Sequence, residues 1–442
     1  MNETIIISIF FIWFAAFLTF GQNVASALFG AGLVGVLLWE GPHMFKGIIG
    51  PDVFYTVSTY SLSIIPLYLL MAQFLMRGKV VEDLFLVAHK LSGGSRFLLG
   101  SGTLVLGGVL GAVTGSGAAA AAALATLASP ELEKYGYKKD FSIALTAVAG
   151  SLSAIIPPSI IMIIYGSLTN VPIGNLFMGA FIPGAITIAV FIICLYVYSE
   201  YSGKVLVQSD GAVEQETAAT VETEIGAQSF YAFIFVIILM IAIFGGIYGG
   251  IVTAGEAGSL GAFVSLIGML VMRRIGFEDI KASLTDAVKI TAMIMVIVMG
   301  AQIFGRFLSF SMFPRHLLSF VEPLMGNPTL VLGIILFVFY LFGMFLESAA
   351  VMVLIIPVIL PILKAMETDF LWFGVMASFV ISIGLLTPPV GLSAYSAAAA
   401  TNYPVERIFR YAIVFASVAA VVVVTLMIAF PGLITYLPSK IN

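Results

Sequence analysis

Charged residues are scarce in this chain of 442 residues. Only 10% of the positions are Asp, Glu, Lys or Arg, whereas a soluble domain carries about 25%. A water-soluble fold is therefore excluded. Hydrophobic residues make up 61% of the chain, and apolar runs of about 20 residues, the length that a helix needs to cross a bilayer, recur from end to end. The sequence predicts an all-α polytopic membrane protein.

Residue types that enzymes and metal centres use are also few. The single cysteine, Cys194, lies in an apolar run, which excludes a disulfide within the chain and a cysteine metal site. The three histidines are scattered, and no Gly-Lys-Ser/Thr loop for a nucleotide is present. An intramembrane enzyme is disfavoured, because no Asp-Asp, Ser-Lys or His-Glu pair stands out. The sequence predicts no enzyme and no organic cofactor, and any energy that the protein uses would come from a gradient or another subunit.

Apolar segments predict ten membrane crossings. The stretch between the fifth and sixth crossings is polar and acidic, which is typical of a flexible connector. It divides the chain into two halves, residues 1–200 and 229–442, joined by residues 201–228. The predicted crossings are 4–20, 24–40, 58–76, 141–166, 174–199, 229–249, 253–272, 287–305, 370–397 and 405–430.

The two halves share a series of landmarks. Each half contains a serine in a broken apolar stretch, a proline, a Pro-Pro pair and a Thr-Asn-x-Pro sequence, in that order and at an offset of about 232 residues. The sequence therefore predicts an internal structural repeat. The landmarks are Ser116, Pro130, Pro157-Pro158 and Thr169 to Pro172 in the first half, and Ser348, Pro361, Pro388-Pro389 and Thr401 to Pro404 in the second.

Two apolar stretches are too short on either side of their serine to cross a bilayer. Around Ser116 each arm has 13 residues, about 20 Å of helix. We therefore predict one re-entrant hairpin in each half, at about 100–130 and 331–363. Backbone that leaves the helix at membrane depth is tolerated only where protein or a water-filled cavity satisfies it, so the hairpin tips mark sites.

The distribution of basic residues predicts the topology. With the N-terminus outside, fourteen of the nineteen Lys and Arg residues fall on the cytoplasmic side, as such residues do in short loops. Both termini are then periplasmic. Five crossings in each half make the second half an inverted copy of the first, the arrangement of many secondary transporters.

The Pro-Pro pairs point to the functional chemistry. Each lies inside a predicted crossing, where tandem prolines break the helix and free carbonyl oxygens. Carbonyl and hydroxyl oxygens can hold a dehydrated sodium ion, and the half-helix N-termini can accept a substrate carboxylate. We predict a substrate and sodium site at Gly115, Ser116, Gly117, Ser153, Pro157, Pro158, Ser159, Glu347, Ser348, Thr387, Pro388 and Pro389, with Ser116, Ser153, Ser348 and Thr387 as the sodium ligands.

Several of these positions also have an alternative interpretation as purely structural residues. A Pro-Pro pair can be a kink that only shapes packing. Glu347 is either part of the binding site, because ionisable groups are costly at membrane depth, or a carboxylate that caps a helix or reaches solvent. Glu256 follows a glycine-rich turn and is favoured as a helix cap.

A further set of motifs comprises Gly115 to Pro130, Lys134 to Tyr137, Ile156 to Ile160, Ile164 to Gly166, Ile182 to Gly184, Ile65 to Leu67 and Thr253 to Ala257. These motifs resemble the large membrane subunit of tripartite ATP-independent periplasmic (TRAP) transporters, and the resemblance covers nearly the whole chain. The resemblance implies an elevator-type transport domain and a scaffold domain in the bacterial inner membrane. It also implies a separate small four-helix membrane subunit, a periplasmic binding protein, sodium coupling and organic-acid substrates. The family often has an aspartate where this chain has Glu347. A stand-alone sodium/dicarboxylate symporter with similar hairpins is the alternative.

Overall fold

The computed structural model describes residues 22–43, 49–201 and 227–440, with four isolated positions nearer the N-terminus. The predicted first crossing and most of the predicted connector lie outside these ranges. Within them the regular secondary structure is helical throughout, which confirms the predicted all-α class. The helices are α1 Val24–Glu40, α2 Gly50–Val57, α3 Ile64–Arg77, α4 Val80–Leu91, α5 Arg96–Thr114, α6 Gly117–Lys134, α7 Lys139–Ser151, α8 Ile160–Thr169, α9 Ile173–Tyr201, α10 Ala227–Tyr248, α11 Ala254–Val271, α12 Phe277–Phe310, α13 Phe313–Val321, α14 Pro328–Gly343, α15 Ser348–Ala365, α16 Phe370–Gly384, α17 Leu392–Thr401, α18 Val405–Ala429 and α19 Gly432–Thr435.

Seven helical segments in the described ranges are long and apolar enough to cross a membrane. Six correspond to predicted crossings. The seventh, α15, was predicted as an arm of the second hairpin, and its length alone also allows it to span. The segments are Tyr60–Arg77, Ile173–Glu200, Gln228–Tyr248, Ala254–Val271, Phe277–Phe310, Ser348–Ala365 and Val405–Ala429.

Both predicted crossings that contain a Pro-Pro pair are interrupted. Helix α7 ends before the first pair and α8 begins after it, while α16 and α17 flank the second pair in the same way. Proline lacks the amide hydrogen and clashes with the preceding turn, which explains the interruption at both places. The Pro157-Pro158 and Pro388-Pro389 peptide bonds are cis. Two half-helices per crossing, with irregular backbone between them, are therefore part of the fold.

The chain also reverses at both predicted hairpin tips. Helix α5 ends and α6 begins around Gly115 and Ser116, and four residues separate α14 from α15. The arms of the first hairpin are longer than predicted, with 19 and 18 residues instead of 13. The reason is that α5 already begins at Arg96, before the predicted arm, and α6 continues through the polar residues up to Lys134.

The first tip lies at the middle of an interrupted crossing. A Cβ atom built on Gly115 would be 2.9 Å from Cγ1 of Ile160, the first residue of α8. Helix α7, on the other side of the break, has 13 residues, which is about 20 Å. The hairpin therefore reaches well inside the helical bundle, and this placement supports a re-entrant structure.

The helices assort into two packed groups. Helices α5 to α9 pack with α14 to α18, and α1 to α3 pack with α10 to α12. In the first group the halves interlock: α17 of the second half packs on α6 of the first, and α8 packs on α15. The two groups meet mainly where α3 contacts α5 and where α12 contacts α15. The interrupted crossings and both hairpins thus belong to one packed unit.

The short helices α4 and α13 were not predicted. Each connects one packed group to a hairpin, and each follows a residue with a left-handed backbone, Lys79 at φ 54° and Met312 at φ 52°. These two residues are separated by about the repeat offset, so the repeat could have revealed the pair. His89 on α4 is buried, and its Nε2 atom lies 2.6 Å from the Tyr135 hydroxyl. Helix α4 is therefore anchored to the end of the first hairpin.

The inverted arrangement of the halves can be tested by labelling. Lys138 lies between α6 and α7, and Lys364 lies in the last turn of α15. In a Cys194→Ala background, we expect Lys138→Cys to react with a membrane-impermeant maleimide only from the cytoplasmic side and Lys364→Cys only from the periplasmic side. The accessible side is measured in intact cells and in inverted vesicles. Modification of both cysteines from one side would contradict the inverted repeat.

Candidate functional site

The tip of the first hairpin is a two-residue turn. Gly115 has φ 62°, a left-handed conformation that glycine adopts without strain, and its N–H donates to the carbonyl of Gly111 over 2.8 Å. Ser116 is extended and precedes the first turn of α6, but its side chain makes no capping hydrogen bond. The carbonyl of Ser116 accepts from Ala120 N–H. The Ser116 hydroxyl therefore does not cap α6, although Ser116 lies at the tip.

This tip packs directly on the first break. A Cβ atom built on Gly111 would lie 2.3 Å from the Cα atom of Ser153. One built on Gly150 would lie 2.4 Å from the backbone nitrogen of Ala121. Contacts this short are possible only for glycine, so small residues bring hairpin and break together. The predicted proximity of Ser116 and the Ser153 region agrees with this packing.

The second break reaches the same tip. A Cβ atom built on Gly117 would be 3.4 Å from Ser153 Oγ and 3.0 Å from Ser393 Oγ. Ser393 is the second residue of α17 and was missed by the sequence analysis. The repeat gave no signal for it, because the position one offset earlier is an isoleucine, Ile161. The first tip therefore touches interrupted crossings from both halves.

The hydroxyl groups at the site divide into two kinds. Ser153 and Ser393 are both 0% exposed, and their Oγ atoms have no hydrogen-bond partner within the described part of the chain. Leaving a buried hydroxyl unsatisfied costs about 1–3 kcal/mol. In contrast, Ser159 donates to the carbonyl of Ala154, and Thr387 donates to the carbonyl of Gly384, both over 2.9 Å. Two hydroxyls thus lack an acceptor where the halves meet.

The second tip is built differently. The carbonyl of Met344 accepts from Gly391 N–H over 2.9 Å, which ties this tip to its own break. The Glu347 carboxylate accepts from Ala349 N–H over 2.8 Å and caps α15. Glu347 thus caps α15, as one of the two alternatives predicted, and its role in binding stays a prediction. Ser348 is buried as the first residue of α15.

The two Pro-Pro pairs differ in their exposure. Pro157 and Pro158 are buried, while Pro388 and Pro389 are exposed. The halves are therefore equivalent in sequence landmarks but not in environment. One break is closed over by protein, and the other is open.

Across the centre of the site the two halves are joined by a hydrogen bond. The Ser382 hydroxyl donates to the carbonyl of Ser151 over 2.6 Å. These residues are 231 positions apart, which is the repeat offset within one residue, so each occupies the equivalent place in its half. Away from this centre, Glu256 forms a capping box with Thr253 at the start of α11, which confirms its predicted role as a cap.

Oxygen atoms are the only cation ligands that the site offers. In the described ranges no group of three or more His, Cys, Asp or Glu residues could hold a metal ion. Backbone carbonyls at the breaks and serine or threonine hydroxyls remain. Such neutral oxygens suit a dehydrated monovalent cation at membrane depth.

A helical membrane protein in which hairpin tips meet interrupted crossings has the architecture of a secondary transporter. The family model described as "Tripartite ATP-independent periplasmic transporter, DctM component" matches residues 11–433. The chain therefore belongs to the large membrane component of TRAP transporters, and the resemblance stated from the motifs is confirmed.

Characterised relatives are similar over most of the chain. The isethionate TRAP transporter permease protein DctMQ of Oleidesulfovibrio alaskensis is 28% identical over 435 residues, which cover 98% of this chain but only 65% of that longer protein. The C4-dicarboxylate TRAP transporter large permease protein DctM of Pseudomonas aeruginosa is 27% identical, with 92% of this chain and 91% of the relative covered.

A solved structure has the same fold. The crystal structure of the Alcanivorax borkumensis YdaH transporter superposes with a TM-score of 0.66 at 12% sequence identity, and 89% of each chain is covered. At this identity the likeness concerns the fold alone.

Proposed function

We propose that this chain is the substrate-translocating subunit of a sodium-driven importer of a small organic acid. The observation that carries the proposal is the meeting of the first hairpin tip with both interrupted crossings, where two buried hydroxyls have no hydrogen-bond partner among the described residues. The relatives support the substrate class, because their names specify isethionate, a sulfonate, and C4-dicarboxylates. Both kinds of molecule carry an anionic acid group.

Sodium would be held by oxygens at the tips and the breaks. Thr387 illustrates the chemistry: its hydroxyl already donates to a carbonyl, so its lone pairs are free to bind a cation. Ser116 and Ser348 stand at the two tips, and the broken backbone supplies carbonyl oxygens. Each net positive charge that enters with the membrane potential gains about 2.3 kcal/mol per 100 mV. That energy supports a gradient of about fiftyfold at the same potential.

Transport would follow an elevator-type alternating access. The packed group that contains both hairpins and both breaks contacts the other group through few helices, so it can move as a unit. The short helices α4 and α13 connect the two groups, as hinged arms would. The unequal exposure of the two Pro-Pro pairs fits one side of the site being open at a time.

Two partners complete the proposed importer. A small four-helix membrane subunit would lie against the group formed by α1 to α3 and α10 to α12, whose outer surfaces carry exposed apolar residues such as Ile241 and Phe263. A periplasmic binding protein would deliver the acid. This chain and the small subunit would lie in the bacterial inner membrane.

Reconstitution tests this function. In proteoliposomes that contain this chain and the small subunit, an inward sodium gradient should drive uptake of at least one labelled acid from a panel of carboxylates and sulfonates, provided that the binding protein is added. Uptake that is independent of sodium would contradict the coupling. Uptake by this chain alone would favour the stand-alone symporter.

The serines at the tips provide matched variants for the same assay. Loss of a ligand to a charged group costs about 1.5–3 kcal/mol, so Ser116→Ala and Ser348→Ala should each raise the sodium concentration for half-maximal uptake about tenfold or more. Ser378→Ala is the control, because this buried hydroxyl already donates to the Gly374 carbonyl within α16. Unchanged sodium dependence in both tip variants would remove the tips from the sodium sites.

A further inference from the structure

We propose that a cavity between α3 and α12 binds the phosphate group of an anionic phospholipid, such as phosphatidylglycerol, through Arg77 and Lys289. The cavity lies at the predicted cytoplasmic end of both helices, in the packed group of α1 to α3 and α10 to α12. It is separate from the hairpins and the interrupted crossings, and the inference does not depend on the proposed transport function.

The cavity has room for a lipid headgroup. Its volume is about 530 Å³, within the range of about 300–1,000 Å³ that small-molecule pockets have. Lys289 is exposed and the other lining residues are half-buried, so the cavity is open to its surroundings. A lipid can therefore place its headgroup inside while its tails stay outside. The lining residues are Gln73, Met76, Arg77, Asp286, Lys289 and Ile290.

The charges that line the cavity do not balance. Nη2 of Arg77 donates to Oδ2 of Asp286 over 2.5 Å, and Asp286 is the one acid in the lining. Lys289, the second cation, has no hydrogen bond or ion pair with another residue of the described ranges. A guanidinium has five N–H groups, and within the same ranges Nη2 is the only nitrogen of Arg77 that has an acceptor. One net positive charge and several unused donors thus match a phosphate.

The cavity lies at the predicted membrane boundary of both helices. Arg77 directly follows the predicted crossing 58–76, and Lys289 lies in the first turn of the predicted crossing 287–305. Ionisable groups at this depth are costly unless they pair or reach the interface. Basic pockets between membrane helices on the cytoplasmic side bind the headgroups of anionic lipids. The level of the cavity therefore fits a lipid phosphate.

The surface beside the cavity is apolar. Lys289, Met293 and Val296 are spaced i, i+4 and i+7 along α12, so they lie on one face of the helix. Met293 and Val296 are 45% and 40% exposed, and they follow Lys289 in the direction of the predicted bilayer centre. An acyl chain that leaves the cavity would pack along these two side chains.

A phospholipid matches both parts of this surface, the charged cavity and the apolar face. A soluble phosphate would make no use of the apolar face. The small subunit is proposed to lie against exposed residues of other helices, Ile241 on α10 and Phe263 on α11. A headgroup bound to Arg77 and Lys289 would join α3 to α12 at the predicted cytoplasmic boundary.

Titration with defined lipids tests the site. The complete chain, assembled with its small subunit, is stripped of lipid in detergent. Dioleoylphosphatidylglycerol or dioleoylphosphatidylcholine is then added, and native mass spectrometry counts the bound lipids. We expect Lys289→Gln to weaken the tightest phosphatidylglycerol binding about fivefold, the factor that about 1 kcal/mol per basic residue gives. Binding of phosphatidylcholine, which has no net charge, should not change.

Two further variants serve as controls in the same titration. Lys289→Arg keeps the charge and should bind phosphatidylglycerol as the wild type does. Lys281 is an exposed lysine two turns earlier on α12 and outside the cavity lining. Lys281→Gln should therefore leave the affinity unchanged. Unchanged affinity in Lys289→Gln, or an equal loss in Lys281→Gln, would overturn the proposal.

Protection of a cysteine locates the bound lipid. In a Cys194→Ala background, Gln73→Cys places a thiol in the lining of the cavity. The neutral reagent methyl methanethiosulfonate should modify this thiol in the lipid-stripped complex. Phosphatidylglycerol at ten times its dissociation constant should slow the modification about tenfold, because mass action leaves about one site in eleven free. Phosphatidylcholine and inorganic phosphate at the same concentration should not protect.

The other outcomes of the protection experiment would exclude a lipid site. Equal protection by inorganic phosphate would assign the cavity to a soluble anion. A Gln73→Cys thiol that does not react in the lipid-stripped complex would indicate that the small subunit covers the cavity. If Lys289→Gln does not assemble, the protection of Gln73→Cys decides, because this variant keeps both cations.

Discussion

The substitution Gly111→Ala is expected to lower both the thermal stability of the protein and its transport activity. Gly111 lies one turn before the first hairpin tip, and an added Cβ atom would be 2.3 Å from Ser153 Cα. The obstacle is backbone, which cannot rotate away as the end of a side chain can. Overpacking of this kind costs about 1–3 kcal/mol. It would also push the tip away from the break, and we expect uptake to fall about tenfold or more at the same protein level.

Gly102→Ala on the same helix is the control. There the nearest atom to an added Cβ is that of Ala88 at 3.5 Å, an ordinary contact. Replacing glycine by alanine inside a helix otherwise stabilises it by about 0.5–1 kcal/mol, so the two variants should shift the melting temperature in opposite directions. The purified complex in detergent gives the melting temperature, and proteoliposomes give the uptake. A Gly111→Ala protein that is as stable and as active as the wild type would contradict the contact between tip and break.

The parts of the fold that sequence predicted correctly are those with local causes. A Pro-Pro pair removes two amide hydrogens wherever it occurs, so the interruptions after α7 and α16 could be read from the chain alone. Gly115-Ser116-Gly117 indicated a reversal for a similar reason, since glycine permits the left-handed turn at Gly115. Length and hydropathy gave most of the crossings.

The sequence analysis missed two kinds of feature: helices that are shorter than a membrane crossing, and a residue that is brought to the site by contacts between distant parts of the chain. Helices α4 and α13 have 12 and 9 residues, so a search for runs of about 20 apolar residues passed over them. Ser393 lacked a counterpart in the first half, and only the packing of α17 on α6 brings its hydroxyl to Gly117. The capping role of Glu347 was one of two open alternatives, because a carboxylate at a helix start fits both a cap and a ligand.

The two halves are more alike in the helices and breaks that form the site than in the side chains at their tips. Both halves have a hairpin and an interrupted crossing, and the first tip touches breaks from both halves. The second tip is longer and is capped by Glu347.

The substitution Asp83→Ala is expected to have the second large effect, through a buried ion pair on the predicted cytoplasmic side. Arg274 pairs with Asp83, and the side chains are only 13% and 8% exposed. The same guanidinium donates to the carbonyls of Gly78 and Gln228 over 3.0 and 3.1 Å. It therefore joins the end of α3 to α4, to the start of α10 and to the segment after α11.

Removal of one partner from a buried pair leaves the other charge uncompensated and costs about 3–5 kcal/mol. Asp83→Ala should therefore lower the melting temperature sharply. Arg77 and Asp286 provide the control pair, because their side chains are 31% and 38% exposed, and exposed pairs contribute about 0–1 kcal/mol. Asp286→Ala should change the melting temperature little.

A compensating variant separates the charge effect from a general loss of packing. In Asp83→Leu with Arg274→Met, no charge is left without its partner, so the double variant should be more stable than Asp83→Ala. Recovery should be incomplete, because the carbonyls of Gly78 and Gln228 lose their donor. Thermal unfolding of the four proteins gives the comparison. Equal melting temperatures for Asp83→Ala and Asp286→Ala would contradict a stabilising role for the ion pair between Asp83 and Arg274.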